Sequence, residues 1–404
     1  MRLWVEKFLL VAAGVIVALI MCEVGLHLAG IEYPFFYDYD PVIGVRLRPG
    51  IRGYYLKEGG GYVSINSDGL RDREHALKKP PKTIRIAVLG DSFVEAMQVN
   101  QQEAFWSILA KELQQCEGLR GRRIEVIDFG ISGLGTAQEL LVLQNHVWKY
   151  SPDIVLLAFT TANDISDNSR ALKQVDYNPY YVYRDNKLVL ENQQTRATWL
   201  AEQNNLIRQA IFHWGIDRLR LLQVLYHAKE VLQEWWAQHD VGRRIGASGP
   251  GQEAGLSDMI YKAPTTRIWQ DAWRVTEGVL VQMRDEVTRH GARFFMVALT
   301  NGIQVNPNPA VRQAYAQALG VPDLFYPDRR LAGFCQEHHI PVLLLAPSFQ
   351  EYATRHQVYL HGFGKSLGKG HWNQQGHRLA GETIARWLCP QLSDPGRSGH
   401  QGAS

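Results

Sequence analysis

The chain has 404 residues, 46% hydrophobic and 21% charged, an ordinary globular composition that argues against general disorder, a collagen-like repeat and a polytopic membrane protein. Forty-three Lys and Arg against 40 Asp and Glu leave a net charge of +3, too small and too scattered for the clustered basic surface that nucleic-acid binding needs. The four cysteines, at 22, 116, 335 and 389, form no CxxC, which removes zinc-ribbon, thioredoxin-like and disulfide-dense scaffolds but does not say which of them pair.

The N-terminus opens on an apolar stretch from Phe8 to Ile31, 24 residues interrupted at Glu23 and His27. That length crosses a hydrocarbon core of about 30 Å, with Glu23 and His27 near one interface, where charge costs less than at the midplane. No A-x-A-like cleavage site follows, which favours an uncleaved anchor over a signal peptide, and bulky Met21 before Cys22 is unlike a lipoprotein site. Arg2 and Lys7 precede the span, while Glu23, Glu32, Asp38 and Asp40 follow. The positive-inside rule then places the body outside the cytoplasm, in a bacterium a single-pass inner-membrane protein facing the periplasm.

Residues 32–80 are rich in Gly, Tyr and turn signals and read as a small leading β/turn subdomain. From residue 84 the pattern changes. Short Val-, Ile- and Leu-rich runs at 84–89, 124–129, 153–159, 292–299 and 341–345 alternate with helical patterns at 102–115, 136–149, 270–290, 328–338 and 374–388. Continuously apolar strands separated by helices predict a parallel sheet covered on both faces, whose ligands bind beyond the carboxyl ends of the strands. Residues 171–270 break this rhythm. They hold Trp199, Trp214, Trp235, Trp236 and Trp269, a long helical pattern over about 196–238 and a glycine-rich linker at 242–255, and read as an insertion whose tryptophans form its own core or shape a binding site. The expected organisation is an anchor (1–31), the leading subdomain (32–80), a main domain (81–392) carrying the insertion, and a disordered tail (393–404).

The chemistry-bearing residues follow the strands. Gly90-Asp91-Ser92 follows the first, where a strand–turn–helix junction presents a hydroxyl and an outward N–H; a plain helix N-cap is the bland alternative. Asp128-Phe129-Gly130-Ile131-Ser132-Gly133 ends the second, as a close-approach loop or a simple tight turn. Asn163-Asp164 follows the third, as an oxyanion donor or an Asx-turn. Gly370-His371-Trp372-Asn373 precedes the last helix, where a histidine is placed to take a proton from Ser92. Gly364–Gly368 spells G-x-S-x-G, but lies between no strand and helix, so the nucleophile-elbow reading fails there.

In this order the four pieces resemble the SGNH (GDSL-type) hydrolase superfamily, named for Ser, Gly, Asn and His in four blocks. The resemblance covers roughly 84–165 and 340–390; the INSDGLRD run before it and the anchor look like a bacterial membrane-anchored branch. It implies an α/β fold, a flavodoxin-like three-layer sandwich with a central parallel sheet of about five strands, plus an N-terminal transmembrane helix and a mainly helical insertion. It also implies that Ser92 is the nucleophile and His371 the general base, with the Ser92 and Gly133 N–H groups and the Asn163 side chain as oxyanion hole. Asp91, Asp164 and Asn373 are possible supporting residues, Asp128 stands where the family carries Asn, and no metal or cofactor is expected.

One departure stands out. The family carries an aspartate two or three residues before the histidine, where this chain has Gly368 and Lys369. Another acid serves from elsewhere, a backbone carbonyl orients the ring, or the site is degraded. The implied activity is that of a serine esterase acting through an acyl-enzyme on O-acyl, above all O-acetyl, esters of envelope or exported carbohydrate. A polysaccharide O-acetyltransferase using the same residues, within envelope polysaccharide machinery, and a non-catalytic envelope binding protein are the alternatives. The expected partners are an acylated carbohydrate or other ester and a lipid bilayer at residues 8–31, without nucleic acid.

Overall fold

The computed structural model describes residues 2–244 and 256–393. The expected tail at 393–404, apart from Ser393 at the end of the last helix, and most of the glycine-rich linker lie outside the described residues. An N-terminal helix, Arg2–Leu28, is long and apolar enough to cross a membrane, and its apolar window is not buried against the body.

Five strands build the central sheet: β1 (Thr83–Gly90), β2 (Arg123–Gly130), β3 (Ile154–Phe159), β4 (Arg293–Ala298) and β5 (Val342–Leu344). All pair in parallel, in the order β5-β4-β3-β1-β2, which is the flavodoxin-like order. Each matches an expected strand to within two residues at either end. Successive side chains leave opposite faces, and both faces are buried. Ala87, Leu89, Ile127 and Phe129 pack with Leu140, Trp273 and Leu280 of the helices Thr136–Val142 and Arg267–Arg289. Ile86, Val88, Val126 and Leu156 pack on the other side with Leu109, Leu113, Ile384 and Leu388 of the helices Phe105–Gln114 and Gln374–Ser393. Cys116, two residues past the helix Phe105–Gln114, forms a disulfide with Cys389 of the last helix, with a Cα separation of 5.9 Å, while Cys335 is a free buried thiol.

The leading segment forms two hairpins, Tyr37–Asp40 with Gly44–Leu47 and Arg52–Tyr55 with Gly61–Ser64. It is bolted to the sheet by buried charges. Arg71 donates to the carbonyls of Glu95 (2.9 Å) and Val99 (2.5 Å) just after β1 and its helix, and Asp72 accepts the Asp128 N–H in β2 at 3.1 Å.

The insertion differs from its expected form. The single long helical pattern is broken at Asn205, whose side chain caps a new turn by accepting the Arg208 N–H, and again before the helix Arg220–Arg244. A hairpin, Tyr180–Arg184 with Lys187–Glu191, precedes them; its two turn residues, Asp185 and Asn186, both take positive φ, as a tight two-residue turn requires. Of the insertion tryptophans, Trp269 is buried in the main core and Trp236 is exposed.

The disulfide closes a separation of 273 residues, so removing it frees a large loop in the unfolded chain. Cys389→Ser is expected to lower stability by about 2–5 kcal/mol, read from the denaturant midpoint of the full chain in detergent. An unchanged midpoint would mean that the bridge constrains nothing the fold depends on.

Candidate active site

β1 ends at Gly90, and the chain turns into the short helix Ser92–Glu95. Asp91 is its N-cap: Oδ1 accepts the Phe93 N–H at 3.0 Å and the Thr160 hydroxyl at 3.0 Å. Ser92 therefore occupies the first helical position, hydroxyl and amide both at the sheet's carboxyl edge, and the N-cap reading and the nucleophile reading describe adjacent residues of one device.

His371 arrives from the other end of the chain. A bridge between His361 and Trp372 frames its loop, and the Gly362 N–H donates to the His371 carbonyl at 2.8 Å. Behind it a buried chain runs from the Trp372 indole N–H to Thr300 (2.8 Å), from Thr300 to His361 Nε2 (2.8 Å), and from His361 Nδ1 to the Gly370 carbonyl (2.7 Å). Burial lowers His361 to about 4 and His377 to about 3, so both are neutral packing groups; His377 stacks on Phe105 and accepts its N–H. Asn373 caps the last helix, its Oδ1 accepting the N–H groups of Gln375 and Gly376.

The structure brings Ser92 and His371 together. Ser92 Oγ lies 2.7 Å from His371 Nε2, and the Phe93 ring packs on the imidazole at 5.0 Å. The other ring nitrogen answers the question of the missing acid. His371 Nδ1 lies 2.5 Å from Glu58 Oε2, and Glu58 Oε1 accepts the His371 backbone N–H at 3.0 Å. Of the three alternatives, the acid from elsewhere is the one present. Lys369 is exposed, and the charges that act on His371 are Glu58, Asp91 and Glu95.

Glu58 lies at the tip of the second hairpin. The Gly60 N–H pins that tip to the Gln98 carbonyl at 3.1 Å. Gly370 makes room for it: a Cβ there would stand 2.4 Å from Glu58 Oε1, and its φ of +78° is one that a side chain rarely adopts. Nothing at a fixed spacing from His371 marked this acid. The only local signal was the Gly59–Gly61 run after it, which announces a tight turn but not where the turn lands. Burial disfavours charge on both partners, but their mutual hydrogen bond and attraction outweigh it. Glu58 is held below the usual carboxylate range and His371 above the usual histidine value.

Gly133 takes a φ of +81°, with open space where a Cβ would stand, so the backbone conformation rather than crowding calls for glycine. Among the described residues the N–H groups of Ser92 and Gly133 have no hydrogen-bond partner. Asn163 sits where expected, but its Nδ2 is engaged, donating to Asp91 Oδ2 at 3.0 Å and to Asp167 Oδ2 at 3.3 Å. The longer of these bonds is the weaker of the two. Asp164 is fully buried behind Thr160, whose N–H it accepts at 2.8 Å; burial, then Glu139 and Asp91, push its carboxyl well up. Asp128, in the family's Asn position, is likewise pushed well up by burial, and its Oδ1 accepts the Gly130 N–H at 2.7 Å.

Beneath the Gly133 loop, the buried Glu95 accepts hydrogen bonds from Ser132 and from Tyr37 (2.7 Å), and burial raises it to about 7. Beside that loop opens a cavity of about 600 Å³ between the leading hairpins and the insertion, lined by Tyr33, Tyr54, Tyr177, Phe212, Tyr226 and His227 among others. Its rings are tyrosines, phenylalanines and a histidine, and among the described residues no tryptophan lines it. Among the described residues no set of three or more His, Cys, Asp or Glu side chains is arranged to hold a metal ion.

No protein-family model matches the chain, and no curated protein does. Solved structures that resemble it include an acetyl xylan esterase, AlAXEase, at 10% identity and a TM-score of 0.38, covering 76% of this chain and 100% of that one. A putative lipolytic protein of the G-D-S-L family from Desulfitobacterium hafniense matches at 12% identity and 0.34, covering 75% and 98%. A catalytic mutant of an acetylxylan esterase from Geobacillus stearothermophilus matches at 12% and 0.36, covering 75% and 93%. With identities this low and TM-scores below 0.5, these likenesses carry no weight in the functional reading, which stands on the geometry above.

A histidine serves as a base only when neutral. Because the pKa of His371 is held above the ordinary value of about 6.5, activity is expected to fall as pH drops through that raised value. Glu58→Gln removes the support while burial remains, so the acid limb of kcat/KM moves to lower pH and kcat falls about 10²–10⁴-fold, as when a triad acid becomes an amide. A pH–rate profile that is the same in both proteins would contradict this.

Proposed function

We propose that this chain is a serine esterase of the SGNH type that hydrolyses O-acyl esters through an acyl-enzyme on Ser92. The observation that carries the reading is the continuous relay from Ser92 Oγ to His371 Nε2 (2.7 Å) and from His371 Nδ1 to Glu58 (2.5 Å). Such a chain activates a hydroxyl and holds the imidazole in the tautomer that receives its proton. Ser92 Oγ bonds to the ester carbonyl carbon as its proton passes to His371 Nε2. The imidazolium is stabilised by Glu58, and the unpartnered N–H groups of Ser92 and Gly133, with Asn163 Nδ2, face the oxyanion. Each such donor is worth about 3–4 kcal/mol. His371 returns the proton to the leaving alcohol, then draws one from the water that cleaves the acyl-enzyme. The relay argues against a degraded binding protein, which has no use for an aligned acid.

The proposed substrate is an O-acetylated carbohydrate met outside the cytoplasmic membrane. Supporting it are the aromatic cavity beside Gly133, whose flat rings suit stacking on sugars, and the apolar N-terminal helix with Arg2 and Lys7 before it. The Cys116–Cys389 bridge suits an oxidising compartment such as the periplasm.

A fluorophosphonate probe is expected to label the full chain, and Ser92→Ala to abolish both labelling and p-nitrophenyl acetate turnover, a loss of at least about 10³-fold. Labelling that survives in Ser92→Ala, or no labelling of folded wild type, would refute the assignment. Adding an oligosaccharide acceptor and following the acetyl group separates hydrolysis from transfer.

A further inference from the structure

The N-terminal helix is fastened, where it ends, to the insertion. Glu23 caps the insertion helix Arg220–Arg244 from outside: Oε1 accepts the Arg220 N–H at 2.8 Å and Oε2 the Leu221 N–H at 2.9 Å. The Arg220 guanidinium donates to the carbonyls of Leu26 (3.3 Å) and Ile31 (3.2 Å) and pairs with Glu32 at 3.6 Å. A helix start, with free N–H groups and the positive end of its dipole, is where a carboxylate is most favoured. Glu23 lies five residues before Leu28, the end of the apolar helix. At 1.5 Å per residue the lock sits about 7.5 Å inside that end. The insertion helix therefore begins level with the last turns of the apolar span.

From that point the insertion helix shows two unlike faces. Tyr226, His227 and Glu230 line the aromatic cavity. Leu222, Leu225, Leu232 and Trp236, spaced by three, seven and four residues, form a second stripe that is 36%, 57%, 55% and 61% exposed. Lys229 fills the remaining place on it, its Nζ 5.8 Å from the centre of the Tyr226 ring and its stem long enough to snorkel at the edge of an apolar layer. The stripe continues onto the preceding helical turns: a Cβ at Gly215 would stand 3.4 Å from Leu222, and Ile207 and Ile211 are exposed beyond it.

We propose that this face lies in the bilayer interface, so that the protein touches the membrane through its insertion as well as through its N-terminal helix. The proposal rests on reading that helix as the anchor. The occupant is lipid because the stripe starts at the depth of the span and continues its apolar surface, and an amphipathic helix with an apolar stripe and a cationic side chain is what the headgroup–acyl boundary accepts. The cavity-lining face is about 130° away on the same helix, so the cavity opens on a different side from the stripe.

The test uses the full chain in a Cys22→Ser background, reconstituted into vesicles of phosphatidylethanolamine and phosphatidylglycerol. A nitrobenzoxadiazole fluorophore is placed in turn on Leu225→Cys, Leu232→Cys, Ile16→Cys and Gln336→Cys, and doxyl-labelled lipid is the quencher. Retained p-nitrophenyl acetate turnover reports that each variant is folded. Probes at 225, 232 and 16 are expected to lose most of their emission, and the probe at 336 none. Quenching at 16 without quenching at 225 and 232 overturns the proposal and leaves the anchor standing. A blue-shifted but unquenched signal at 225 and 232 overturns it in favour of a protein contact, including a second copy. No quenching at 16 overturns the anchor reading and this one with it.

Discussion

The contact between Glu58 and His371 is the constraint on which the rest of the site depends. It joins a turn near the N-terminus to a loop before the last helix, two segments 313 residues apart in sequence. A carboxylate and an imidazole, both partly withdrawn from water, lose solvation, and only accurate geometry repays it. Glu58 meets that demand twice, through the ring nitrogen and through the backbone N–H of the same residue. The second bond fixes the carboxylate relative to the main chain, so the ring is oriented even before it is charged.

The architecture around that contact keeps both segments still. On one side, buried Arg71 ties the leading segment to the end of the short helix after β1, and Asp72 ties it to β2 itself. Arg85, fully buried, donates to the carbonyls of Ala76 and Tyr150 and pairs with Glu125, which also meets His75. Removing one partner from such a network leaves a buried charge uncompensated, so these residues hold the leading segment in a single register. On the other side, the Trp372–Thr300–His361 chain fixes the His371 loop, and the disulfide clamps the last helix to Cys116, just past the helix Phe105–Gln114. Ser92 rides on the sheet between the two, close to the topological position where such folds bind ligands.

What was legible in the sequence follows from the range of the forces involved. The five strands were readable because burial on both faces leaves unbroken Val, Ile and Leu runs. Ser92 and His371 were readable because each sits at a strand or helix boundary fixed by local chemistry, and the structure brings them within hydrogen-bond reach. Glu58 was not readable. Its role comes from where a hairpin tip lands, and that is decided by Arg71, Gly60 and Gly370 acting over long sequence separations. The insertion was half readable: its helical character shows in the pattern, but the breaks at Asn205 and before Arg220 depend on side-chain caps, one of them supplied by Glu23 from the N-terminal helix. The hairpin at 180–191 did carry a signal, Asp185-Asn186 between alternating apolar residues, that the dominant helical pattern obscured. The cavity's rings come from two distant segments and so could not be read as one surface.

The claim that Glu58 completes the relay is tested most directly by proton NMR of the low-field imidazole N–H of His371. A hydrogen bond from Nδ1 to a carboxylate gives a strongly deshielded, slowly exchanging resonance. The account predicts that signal in the wild-type chain, its disappearance in His371→Ala, and its loss or large upfield movement in Glu58→Gln. A signal that persists unshifted in Glu58→Gln would show that another group orients the ring, and would contradict the account.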